Sequence, residues 1–250
     1  MQLTGNTIFI TGGGSGIGRG LAEAFHKLGN TVIISGRRAA ALEAVTAANP
    51  GMASIVVDIA DPASIAAAAA QLIRDFPALN VLINNAGIMP FDNVAGPVND
   101  AEAESVVTTN LLGPIRVTSA LIEHLKAQPR ATIVYNSSAL AFTPLAPSAV
   151  YSATKAAIHS YALSQRFMLR DTSVGVQEIA PPWVDTDLVE ASGGMPLADF
   201  IAGTMEQLAT DAEEIVVGDA KVLRDNPGPN EHGLVNGFNA QMVAAFSGAA

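Results

Sequence analysis

Apolar residues along this chain fall into two alternating rhythms. Short unbroken runs rich in Val and Ile occur at Thr7–Thr11, Thr31–Ser35, Ser54–Val57, Val81–Asn84, Thr132–Tyr135 and Gly175–Ile179. Runs that are apolar at consecutive positions predict strands covered on both faces, as in a parallel sheet. Helical patterns are expected between them, near 16–29, 38–48, 62–76, 101–127 and 149–170. Asp61-Pro62 supplies a helix start, with Asp as N-cap and Pro at the first helical position. This alternation predicts right-handed crossovers and an α/β fold: a Rossmann-type, doubly wound parallel sheet with helices on both faces. No linker rich in Pro, Gly or Ser divides the chain, so a single domain over residues 1–250 is expected.

The last quarter breaks the rhythm. Residues 187–210 mix Gly193-Gly194 and Pro196 with Met195, Leu197, Phe200 and Met205, which predicts a mobile substrate lid containing one short helix. Residues 211–224 read as helical, and 225–230 as a turn cluster. Leu234, Val235, Phe238 and Met242 then return near helical spacing. The region offers no convincing final strand, so the sheet is expected to hold six or seven.

Composition narrows the function. The chain is 49% hydrophobic and only 14% charged, which excludes disorder. No apolar run of about 18 residues escapes a charge or a breaker, so no membrane span is expected. Net charge is −10, and the 13 Lys and Arg do not cluster beyond Arg37-Arg38, which argues against nucleic acid. Cysteine is absent, removing disulfides, thiolate metal sites and a cysteine nucleophile. His26, His124, His159 and His232 have no metal-ligand spacing; they read as helix-surface or tail residues, and no metal is expected. The first residues show no basic, apolar, cleavable leader, and a cytoplasmic protein is the expectation.

Two local patterns carry chemistry. The first strand ends in Thr11-Gly12-Gly13-Gly14-Ser15-Gly16-Ile17-Gly18, and a helix follows. Glycines at such a turn let backbone amides approach a pyrophosphate at the helix N-terminus. Tyr151 and Lys155 lie four apart on a predicted helix and so share a face. An ammonium beside a phenol favours phenolate, lowering a pKa of about 10 toward working pH and suiting Tyr151 to general acid–base work.

Together with more distant markers, these patterns resemble the short-chain dehydrogenase/reductase family. The glycine spacing of Gly12, Gly16 and Gly18, the run Asn84-Asn85-Ala86-Gly87, Tyr151-x-x-x-Lys155, Ser138 thirteen residues before Tyr151, and Asn110 occur in the family's order across roughly residues 5–190. The resemblance implies an oxidoreductase moving hydride between nicotinamide and a ketone, aldehyde or secondary alcohol, similar to carbonyl reductases. It implies that Tyr151 is the general acid, that Ser138 positions the substrate oxygen, that Lys155 also holds the nicotinamide ribose, and that Asn110 helps hold a water leading to Lys155. Cofactor contacts implied are Gly12, Ser15, Gly16, Ile17 and Gly18 at the turn, and Asp58 and Ile59 after the third strand. Asn85, Ala86 and Gly87 would pass the adenosine ribose, while Pro181, Val184 and Thr186 lie near the carboxamide. A site for NAD carries an acid at the end of the second strand. Here Gly36 stands there and Arg37 and Arg38 follow, able to pair with a 2′-phosphate. NADP(H) is therefore expected ahead of NAD, with Arg37 the main contact.

Leu140, Phe142, Trp183 and Leu188, with Met89, are the expected substrate walls beside Ser138 and Tyr151. Their apolar character favours a small hydrophobic carbonyl compound. A sugar-nucleotide epimerase or dehydratase and a non-catalytic NADP-binding regulator are the alternatives. The short chain and glycine spacing weigh against the first, and the retained Tyr151 and Lys155 against the second. The family implies a homo-oligomer, tetramer or dimer, and residues 149–170 carry apolar and small residues on more than one face. Three departures stand out. Pro182 replaces a usual glycine. Asn136 follows Tyr135 where relatives have Asn one position earlier and then an apolar residue; that order exchanges faces, by a bulge or a repacked pocket. The usual glycine-rich final strand is missing.

Overall fold

The computed structural model describes residues 1–188, 193–225 and 228–247. Parts of the expected lid (189–192), the turn cluster (226–227) and the last three residues lie outside the described residues. Seven parallel strands, β1 (Thr7–Thr11), β2 (Thr31–Gly36), β3 (Ala53–Val56), β4 (Leu79–Asn84), β5 (Ala131–Asn136), β6 (Val174–Ala180) and β7 (Glu214–Val216), form one sheet among the described residues. Their order is β3-β2-β1-β4-β5-β6-β7. The chain therefore reverses direction of winding between β1 and β4, and in such sheets ligands bind at that point, beyond the carboxyl ends of the strands.

Alternate residues of the buried strands feed two cores. Phe9, Ile33, Ile133 and Tyr135 face α3 (Pro62–Asp75), α5 (Gly113–Lys126) and α6 (Ala149–Leu169), meeting Leu72, Leu121 and Ile158. Ile8, Ile10, Ile34 and Val134 face α1 (Gly16–Lys27), α2 (Ala39–Ala48) and α7 (Leu197–Leu208), meeting Phe25, Leu42 and Phe200. Both strand faces are covered, which explains why these strands carry no apolar–polar alternation. At the start of α3, the Asp61 side chain accepts from the Ala63 amide at 2.9 Å, a cap worth about 1 kcal/mol.

Two segments differ from expectation. The segment 211–224, expected to be helical, contains β7 and then α8 (Ala220–Arg224). Three residues carry no period, and Glu214-Ile215-Val216 becomes a strand only by pairing with Glu178-Ile179-Ala180, burying Ile215 completely. The expected helix 101–127 is two helices, α4 (Asp100–Val107) and α5, joined through a π-helical turn at Thr108–Leu112. Such turns widen a helix by one residue and recur at functional sites; this one holds Asn110. The chain ends in α9 (Glu231–Ser247). No described helix is long and apolar enough to cross a membrane.

Candidate active site

A cavity of about 1010 Å³ runs along the carboxyl ends of the strands, at the upper end of the roughly 300–1,000 Å³ typical of ligand sites. The glycine-rich turn opens it. Gly12 has φ +69°, and a Cβ there would lie 2.8 Å from Ala86 Cα, so only glycine lets the turn sit against the Asn85-Ala86 segment. Thr11 Oγ1 fixes the same approach by accepting from the amides of Asn85 and Ala86, at 3.0 and 3.1 Å. Gly12, Ser15, Gly16 and Ile17 line the cavity, as do Asp58, Ile59, Asn85, Ala86, Gly87, Pro181, Val184 and Thr186. Gly18 does not line it. A Cβ on Gly18 would stand 2.3 Å from the Gly12 carbonyl oxygen, so this glycine permits helix-to-turn packing and is no contact surface. Arg37 and Arg38 line one end, with Arg38 Nη2 donating to Ser15 Oγ at 3.4 Å.

Ser138, Tyr151 and Lys155 line the same cavity and are buried. Helix α6 brings the last two there, and its N-terminus is held by Asp92, whose carboxylate accepts from the amides of Ala149 and Val150 at 3.1 and 2.9 Å. Burial pushes the Tyr151 phenol up to about 12, partly offset by its hydrogen bond with Ser138. The expected lowering of that phenol by Lys155 is not seen. Lys155 Nζ stands 5.4 Å from the ring centroid and donates to the Asn136 carbonyl at 2.8 Å, so burial decides. Burial also brings the lysine down to about 8, opposed by the carboxylate of Glu178.

Asn110 is engaged on both sides of its amide. Its Nδ2 donates to the Ile88 carbonyl at 2.8 Å and its Oδ1 accepts from the Ile88 amide at 2.9 Å. The side chain thus fixes the segment that follows Gly87.

Among the expected substrate walls, Met89, Leu140, Trp183 and Leu188 line the cavity. Phe142 does not line it. Its ring meets His159 edge-on at 4.9 Å and lies under the Arg224 guanidinium at 4.7 Å. His159, read above as a surface residue, is bonded through Nδ1 to Glu178 Oε2 at 2.8 Å, and Glu178 is fully buried. Ser137 donates to the other oxygen of Glu178, and Arg224 pairs with Glu214. The acceptor oxygens of Glu178 and Glu214 lie within 4.8 Å of the imidazole nitrogen, gathered from α6, β6 and β7. Sequence spacing could not reveal this group, and its two carboxylates are answered by Arg224 and His159.

Two walls were not anticipated. Phe238, Gln241 and Met242 of α9 and Val222 and Leu223 of α8 close the substrate end. Asn239 ties α9 down: its Nδ2 donates to the Pro144 carbonyl at 2.9 Å and its Oδ1 accepts from the Ala146 amide. The helical spacing of Phe238 and Met242 was the available signal, but it read equally well as core. Met195 is joined to the segment after β6: the Asp185 amide donates to its carbonyl at 2.9 Å, and its own amide donates to the Trp183 carbonyl at 2.8 Å.

The donor set fits a dinucleotide: a cradle that a Cβ would fill, two arginines at one end, and a buried lysine facing the other. The sequence model of the short chain dehydrogenase family matches residues 6–195. The chain is 37% identical over 250 residues to the uncharacterized oxidoreductase DltE of Bacillus subtilis (strain 168), covering 96% of this chain and 99% of that protein. A short chain dehydrogenase from Burkholderia cenocepacia J2315, solved in complex with NADP, superposes with a TM-score of 0.84 at 25% identity, over 94% of this chain and 97% of that one. One from Burkholderia phymatum, solved with NAD, shares the fold at a TM-score of 0.81 and 22% identity, over 90% and 93%. The chain is an oxidoreductase of the short-chain dehydrogenase/reductase family.

Proposed function

We propose that this protein is an NADP(H)-dependent reductase of small hydrophobic ketones and aldehydes, running in reverse as a secondary-alcohol dehydrogenase. The observation that carries the reading is one cavity with Arg37 and Arg38 at one end and Ser138, Tyr151 and Lys155 at the other. Bound between them, a nicotinamide supplies or accepts the hydride. Gly12, Ser15, Gly16 and Ile17 would cradle its pyrophosphate, and Lys155 its ribose. Thr186 and the Val184 backbone would meet the carboxamide.

The protein's own groups handle the proton. A phenol pushed up to about 12 is protonated at neutral pH, the form a general acid needs to deliver a proton to a carbonyl oxygen. Ser138, already bonded to that phenol, holds the same oxygen by a second hydrogen bond. Alcohol oxidation needs the phenolate, so that direction accelerates as pH rises.

Substrate class follows from the walls. Leu140, Leu145, Trp183, Leu223, Phe238 and Met242 are apolar, Gln241 is neutral, Asp219 is acidic, and Lys155 is the cation that lines the cavity apart from Arg37 and Arg38, among the described residues. Such a lining favours uncharged substrates over phosphorylated or carboxylated ones. Exposed Leu163, Phe167 and Met168 on α6 support self-association as a dimer or tetramer, and a cytoplasmic location completes the reading. The test is NADPH oxidation with hydrophobic ketones and aldehydes beside anionic analogues. Turnover of the hydrophobic set supports the proposal, and turnover confined to anionic compounds refutes its substrate class.

A further inference from the structure

The order Tyr135-Asn136 repacks both faces of β5 with no bulge: β5 pairs in unbroken register with β4 and β6. Tyr135 turns to the α5–α6 side, where its hydroxyl bonds Gln165 Oε1 at 2.8 Å and Thr118 Oγ1 at 3.0 Å. Asn136 therefore takes the opposite face, at the cavity floor, and is only 9% exposed.

The orientation of its amide is fixed by a neighbour. Asn85 Nδ2 donates to the carbonyls of Thr11 and Gly12, at 3.0 and 3.3 Å, which leaves Asn85 Oδ1 as an acceptor. Asn136 must meet it with Nδ2, and does so at 2.8 Å. Its own Oδ1 is then a buried acceptor without a partner. An unsatisfied buried carbonyl costs stability, and this offsets what the bond from Nδ2 to Asn85 contributes to the fold.

The main chain of the same residue accepts from Lys155 Nζ. One residue thus stands between the catalytic lysine and, through Asn85, the glycine-rich turn. We propose that Asn136 is a positioning residue for the cofactor: its Nδ2 holds Asn85 against the turn, so that the amides of the turn are set for a pyrophosphate before it arrives. The inference rests on the dinucleotide reading of the cavity. It places a binding role on a side chain whose bond to Asn85 is offset by its own unpartnered oxygen.

Calorimetric titration with NADP⁺, NAD⁺ and ADP, together with thermal melting, tests it on the intact chain. Losing one buried hydrogen bond weakens binding by about fivefold. Asn136→Leu is therefore expected to raise the dissociation constants of the preferred dinucleotide and of ADP by that common factor, with the melting temperature little changed, because the relieved Oδ1 offsets the lost bond to Asn85. Asn136→Ala serves in the same way if leucine disturbs folding. A variant that melts lower yet binds nucleotide within twofold of the parent overturns the proposal, because Asn136 is then structural only. Weakening of the dinucleotide with ADP unaffected also overturns it, because the effect then does not pass through the turn. If the unmodified protein binds neither dinucleotide, the cofactor reading itself falls.

Discussion

Lys155 Nζ donates to the main-chain carbonyl of Asn136 at 2.8 Å, and this bond ties α6, which carries Tyr151 and Lys155, to the end of β5. The ammonium is otherwise buried, which is why its pKa sits near 8. Between about pH 8 and 10.5 the unfolded lysine keeps a proton that the native one has released. The unfolded state binds more protons in that window, so this residue's contribution to stability rises with pH through it. Below pH 8 the penalty of burying the charge is present in full. Urea melts at pH 7.5 and 9.5 should show the parent protein gaining stability relative to Lys155→Met at the higher pH. An unchanged difference would contradict the burial of that ammonium.

Arg37 is expected to set nucleotide preference, because a guanidinium can pair with a 2′-phosphate and has no corresponding partner on a bare ribose. Arg37→Ala should lower kcat/KM for NADPH by about tenfold or more, the scale of a charge-assisted hydrogen bond. The value for NADH should be nearly unmoved. A parent enzyme that prefers NADH, with the preference unaltered in Arg37→Ala, would refute the assignment.

Asn239 holds α9 over the substrate end through Pro144 and Ala146. Removing these bonds in Asn239→Ala should cost about 1 kcal/mol and so lower the melting temperature by about 2–4 °C. The more telling change is in KM for hydrophobic ketones, expected to rise several-fold as Phe238 and Met242 lose their fixed positions. Nucleotide affinity should stay constant, since neither bond touches the glycine-rich turn. Equal loss of ketone and nucleotide binding would show instead that α9 supports the whole domain.

The parts of this molecule that could be read from the sequence are those set by local pattern. Ile8, Ile10, Ile33 and Ile34 sit in unbroken apolar runs and become central strands. Tyr151 and Lys155 share a helix face by spacing alone, and Asp61-Pro62 starts α3 as its chemistry dictates. What could not be read depends on partners far along the chain. Glu214-Ile215-Val216 is a strand only because β6 lies beside it. Gly18 and Phe142 look like site residues in the sequence, but the Gly12 carbonyl packs against one and His159 against the other. Asn136 was visible as a departure, yet its bond to Asn85 crosses 51 positions and required the sheet to be assembled.

The central claim is that Tyr151 transfers the proton in a carbonyl reduction. It is tested most directly by kcat/KM for NADPH-dependent reduction of a hydrophobic ketone in Tyr151→Phe, measured beside the affinity of the same protein for NADP⁺. Loss of a general acid predicts a fall of about 10²–10⁴-fold, with NADP⁺ affinity close to that of the parent. Reduction that survives within about tenfold, a fall far smaller than general acid catalysis provides, would contradict the mechanism.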